Sequence, residues 1–64
     1  MSHVARVIEE KSVLDQNAGA LAAFLAKGKP DNVDPDGWEL LKEQHRIMVE
    51  YSDILGKRLV LFAK

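Results

Sequence analysis

The stretch from Trp38 to Phe62 limits what this chain can become. Leu40, Ile47, Ile54 and Leu61 recur every seven residues along it. Leu41, Gln44, Met48, Tyr51, Leu55, Arg58 and Phe62 fill a 3-4-3-4 spacing beside them. Apolar residues at these intervals lie on one side of an α-helix, and here the apolar side is wider than a two-helix seam requires. A single helix cannot shield such a face from water. The rest of the chain, or another copy of it, has to cover it.

The chain has 64 residues and no cysteine. That is enough for one domain, and a domain this small buries only ~60% of its unfolded surface. Chains of this size are usually reinforced by disulfides, a structural metal or oligomerisation. The missing cysteines remove disulfides and thiolate metal sites. His3 and His45 are far apart and lack a ligand-rich neighbourhood, so no metal site is expected. Self-association is the expected reinforcement. With 9 basic and 10 acidic residues the formal net charge is −1, which argues against a nucleic-acid partner. No apolar run approaches the ~20 residues of a membrane span, and Met1-Ser-His-Val-Ala-Arg6 lacks the apolar core of a signal peptide. A cytoplasmic protein with no membrane partner is the default expectation.

The spacing predicts a first helix over 3–27, with Ser2 as a possible N-cap and Val4, Val7, Ile8, Leu14, Ala18, Leu21, Ala22 and Leu25 as its apolar positions. Lys11 interrupts this row. Gly19 is a weak point for a helix, and the small residues from Ala18 to Ala23 suit either a close helix contact or a kinked, ligand-accommodating surface. Gly28 is placed to end the helix in a left-handed cap. The predicted loop covers 28–35, with turn chemistry in Lys29-Pro-Asp-Asn32. The predicted second helix covers 36–62. Asp34 as N-cap with Pro35 at the first helical position is the other start consistent with the sequence. Two helices of similar length joined by a short loop give an all-α, antiparallel two-helix hairpin, a single domain spanning 1–64 that assembles into a homo-oligomeric helical bundle. In this hairpin the numbers of facing residues sum to about 62–63, the span set by helix rise and loop length. Leu21 would meet Leu41, and Lys11 would meet Tyr51.

No catalytic constellation is visible. Ser12 and Ser52 have no histidine at helical spacing, and the His-Glu-x-x-His pattern is absent. A hairpin this small also offers little concavity for a pocket. The chain is therefore expected not to be an enzyme and to need no cofactor. The candidate ligand-binding residues are Arg6, Lys11, Gln44, Tyr51 and Arg58. Arg and Lys would pair with phosphates, Tyr51 would stack on a base and Gln44 would read its edge. The same side chains also fit a structural reading. Lys11 and Arg58 would then snorkel at the edges of the stripe, Gln44 would fix register and Tyr51 would pack with its hydroxyl in water. The candidate interface residues are Leu40, Ile47, Met48, Ile54, Leu61, Phe62 and Trp38, with Trp38 either capping Phe24 and Leu25 or facing a partner.

The second helix reads Leu40-Leu41-x-x-Gln44-x-x-x-Met48-x-x-Tyr51-x-x-x-Leu55-x-x-Arg58, after a first helix with Arg6-Val7-Ile8-x-Glu10, Leu14, Leu21 and Phe24-Leu25. This pattern resembles the small helical-hairpin proteins of tailed bacteriophages, including crAss-like phages. The resemblance implies a phage protein acting in the host cytoplasm. By analogy with small phage counter-defence factors, it implies an oligomer that sequesters a signal nucleotide of bacterial immunity. The alternative expectation is a protein-interaction module that binds or inhibits a host protein through the surplus apolar face.

Overall fold

The computed structural model describes residues 3–64, so the expected cap at Ser2 lies outside the described residues. Two helices make up the fold: α1 spans His3–Ala26 and α2 spans Pro35–Phe62. They pack against each other as an antiparallel hairpin, with no strand among the described residues.

The ends of the helices follow from local chemistry. The Asp34 carboxylate accepts a hydrogen bond from the Gly37 amide at 2.6 Å, satisfying one of the amide groups that a helix start leaves open. Pro35 takes the first helical position, where it has no amide bond to lose. The helix thus begins at Pro35, one residue before the predicted start at 36. At the other end of the loop, α1 closes at Ala26 instead of Lys27. The Lys27 and Gly28 amides bond to the Phe24 and Leu25 carbonyls, and Gly28 takes φ 86°, a left-handed conformation that costs glycine little. Lys29 then ties the loop by donating to the Val33 carbonyl at 2.9 Å.

Leu41, His45, Met48, Ser52, Leu55, Leu59 and Phe62 form a covered row on α2 with an unbroken 4-3 spacing, and Gly37, Trp38 and Gly56 are partly covered beside it. Opposite them, Val4, Val7, Lys11, Leu14, Ala18, Leu21 and Leu25 form the covered row of α1, with Ala5 and Ala22 partly covered beside it. Among the described residues only Val7, Ala18 and Leu55 are buried hydrophobics, and of these Leu55 alone has no exposure at all. The molecule is a rod of 48 × 16 × 15 Å with a radius of gyration of 14.7 Å. A compact domain of this length would have a radius near ~11 Å. Side-by-side packing of two rods gives one line of contact and leaves most of each helix wet.

The contact face of α2 differs from the expected one. Gln44, Tyr51 and Arg58 were grouped with Leu41, Met48 and Leu55, and all three are exposed. His45, Ser52 and Leu59 take their places. Lys11 accordingly donates to the Ser52 hydroxyl at 3.1 Å instead of meeting Tyr51. That pair sums to 63, so the expected register holds along the axis while the helix is turned by one residue.

Candidate functional site

The turn of α2 divides the hairpin into two flanks of different chemistry. Successive residues of a helix are ~100° apart at 3.6 per turn. Residues just after an inward position therefore turn to one flank and residues just before it turn to the other. Because the helices are antiparallel, the same rule assigns both helices to the same flanks.

The flank of following residues holds a shallow groove of about 400 Å³ lined by Lys11, Asp15, Ala18, Val49, Ser52, Asp53 and others. Its centre is a polar brace. The Lys11 ammonium lies 2.8 Å from Asp15 and 3.1 Å from Ser52, whose hydroxyl in turn donates to Asp15. Hydrogen bonds from Lys11 and then Ser52 hold the Asp15 carboxyl below the usual aspartate range. The cationic end of Lys11 is thus occupied within the fold.

The flank of preceding residues carries a second stripe on α2: Leu40, Gln44, Ile47, Tyr51, Ile54, Arg58 and Leu61. Each is one number below a covered residue, so this stripe repeats the same 4-3 spacing, and all seven are exposed. Leu40 is 70% exposed and Leu61 62%, values far from those of a core. Arg6 and Val13 turn to this flank from α1. The rim of α2 beyond the stripe is solvated charge. Arg46 joins Glu43 and Glu50, and Lys57 pairs with Asp53. The Arg46 guanidinium holds the Glu43 carboxyl below its ordinary range.

Four of the five ligand candidates, Arg6, Gln44, Tyr51 and Arg58, therefore belong to one flank, and Lys11 belongs to the other. Along the helix Gln44, Tyr51 and Arg58 are each separated by ~10.5 Å at 1.5 Å per residue. Arg58 sits 5.9 Å over the Phe62 ring, and His3 meets the same ring edge-on at 5.0 Å. Among the described residues Arg6 and Arg58 form no ion pair, in contrast to Lys11, Lys42, Arg46 and Lys57. Among the described residues the two guanidiniums at the open end are thus held in no ion pair, with Glu10 one helical turn from Arg6 on the same flank.

Of the interface candidates, Leu40, Ile47, Ile54 and Leu61 are exposed. Met48, Trp38 and Phe62 are partly covered. Trp38 packs on Phe24, with ring centroids 5.9 Å apart at the loop end of the rod. The groove at Asp15 and Ser52 was absent from the sequence reading. The one signal the sequence carries for it is an aspartate four residues beyond Lys11 on the first helix.

No helix is long and apolar enough to cross a membrane among the described residues, and no three His, Cys, Asp or Glu side chains there are grouped as a metal set. The Sequestin family model matches residues 1–61, nearly the whole chain, and the chain belongs to that family. No curated protein and no solved structure matches significantly.

Proposed function

We propose that this member of the Sequestin family is a non-catalytic, homo-oligomeric protein that sequesters a small anionic nucleotide. The observation that carries the reading is the exposed flank on which Leu40, Ile47, Ile54 and Leu61 alternate with Gln44, Tyr51 and Arg58. The family name itself denotes sequestration, which fits a chain that binds without turning its ligand over. Arg58, with Arg6 beside it at the open end, supplies guanidinium forks suited to phosphate oxygens. Tyr51 offers a ring for a base, ~10.5 Å along the helix from Arg58. The apolar residues between them exclude water, which strengthens each polar contact.

In this reading the ligand is a cyclic nucleotide or an ADP-ribose-type signal of bacterial immunity. The protein is phage-encoded and works in the host cytoplasm by lowering the free signal concentration. Isothermal calorimetry against cyclic dinucleotides, cyclic trinucleotides and cyclic ADP-ribose isomers tests it. Heat with one of these, lost in Arg58→Ala, is the expected result, and no heat with any of them removes the nucleotide. The same exposed stripe favours a second reading, in which an apolar helix of a host protein docks there. Affinity capture that returns one host protein in equal proportion to the bait would support it.

A further inference from the structure

We propose that two copies pair through α2 in antiparallel fashion, with the dyad at Tyr51, and that each nucleotide site is shared between Arg58 of one copy and Gln44 of the other. The inference rests on the reading above for the identity of the ligand, and on the stripe itself for the pairing.

The exposed stripe runs the same way in both directions. Counted outward from Tyr51, it reads Ile54, Arg58, Leu61 toward one end and Ile47, Gln44, Leu40 toward the other. When one copy is turned over about a dyad at Tyr51, Ile47 comes within one residue, ~1.5 Å, of the level of the partner's Ile54, and Leu40 does the same with the partner's Leu61. Gln44 faces the partner's Arg58, and the two Tyr51 rings meet at the centre. Apolar groups meet apolar groups and polar groups meet polar groups along three heptads, the length at which such a stripe specifies helix pairing. A twofold dimer of this kind uses the same patch on both copies.

Charge sets the direction. In a parallel pair Arg58 would face the partner's Arg58, and the bordering Glu43 and Lys57 would each face their own kind. In the antiparallel pair Glu43 comes within two residues, ~3 Å, of the level of the partner's Lys57 at both ends. Only Glu50 then faces its like, and it already carries Arg46 at 2.7 Å. Like charges placed opposite each other in an interface disfavour it.

The pairing also completes the site. On one copy Gln44 and Arg58 are ~21 Å apart along the axis, too far for one small ligand. Across the dyad they stand at the same level, with Arg6 beside Arg58. A dimer therefore holds two equal sites on either side of the tyrosine pair, and a lone hairpin holds only halves of them.

The chain contains no cysteine, so single cysteines report the pairing directly. Gln44→Cys, Tyr51→Cys and Arg58→Cys all fall at exposed positions, and circular dichroism checks that each variant stays helical. Tyr51→Cys should form a disulfide dimer with itself under mild oxidation. Gln44→Cys and Arg58→Cys should each stay as single chains, and the two refolded together should give the mixed dimer. Self-crosslinking of Arg58→Cys as strong as in the mixture would overturn the antiparallel arrangement. Helical variants that give no crosslink in any combination would overturn the pairing altogether. The gel needs no ligand. The expected pattern without calorimetric heat would retire the nucleotide and keep the pairing, whereas heat with the wrong pattern would do the reverse.

Discussion

Lys11 of α1 reaches across the hairpin to donate to the Ser52 hydroxyl at 3.1 Å, while its own helix supplies Asp15 as a counter-ion at 2.8 Å. With three buried hydrophobic side chains among the described residues, this brace is one of few contacts that fix how the helices are turned. An apolar seam tolerates small rotations, but a hydrogen bond between named groups does not.

The first prediction concerns acid. Asp15 is held below its ordinary range chiefly by Lys11 and then by Ser52. A carboxyl with a depressed folded-state pKa adds stability that is fully present above its unfolded pKa and is lost as pH falls through the folded value. Wild-type protein should therefore lose thermal stability below about pH 4 more steeply than Asp15→Asn, and near neutral pH Asp15→Asn should melt lower. Melting curves across this range check it. Equal slopes in the two proteins would show that the brace does not contribute in solution.

The second prediction concerns the core. Leu55 has no exposed surface, and the neighbouring Gly56 is approached by the Lys11 stem. Leu55→Ala removes the best-buried side chain and should cost ~2–5 kcal/mol, the range for large-to-small core changes. A small domain has little margin over that. Loss of most of the helical circular dichroism signal at room temperature is expected, whereas Leu40→Ala, at a site 70% exposed in the hairpin, should keep the helices.

How much of this was legible in the sequence depends on the question asked. The hairpin was readable because Asp34, Pro35 and Gly28 punctuate the chain and the apolar rows on each side have matching length. The turn of α2 was not. Starting from Leu41 and Met48, both Gln44 and His45 satisfy helical spacing, and the same ambiguity recurs at Tyr51 or Ser52 and at Arg58 or Leu59. The structure resolves it through groups on the other helix: Ser52 meets Lys11 and Asp15, and Leu59 is apolar where Arg58 is charged. A pattern within one helix cannot contain that information. The same rotation explains why Lys11 leaves the candidate ligand set's flank while Arg6, Gln44, Tyr51 and Arg58 share one.

Gly19 supplies the third prediction. A close helix contact was one reading of the small residues around it, yet a methyl added at Gly19 would meet nothing within 4 Å. Neither the packing nor the continuous α1 explains a glycine there. Gly19→Ala should stabilise the hairpin by up to ~1 kcal/mol through helix propensity alone and leave nucleotide binding unchanged. A lower melting temperature, read by the same thermal scan, would mean that another copy or partner approaches Gly19 closely.

The last prediction separates a self-sufficient hairpin from an assembling one. Burying a Leu or Ile side chain contributes ~1.5–3 kcal/mol, and Leu40, Ile47, Ile54 and Leu61 contribute little of that in a lone chain because they are half or more exposed. If copies cover them, folding and association are linked, and the melting temperature must rise with protein concentration. Ile54→Asp places a charge where the partner's Ile47 would sit, at a position 54% exposed in the hairpin. The wild type should sediment as an oligomer with a concentration-dependent melting temperature. Ile54→Asp should sediment as a single chain with a lower melting temperature that no longer depends on concentration. A wild-type protein that sediments as one folded subunit at every concentration would show that the exposed stripe does not bring copies together.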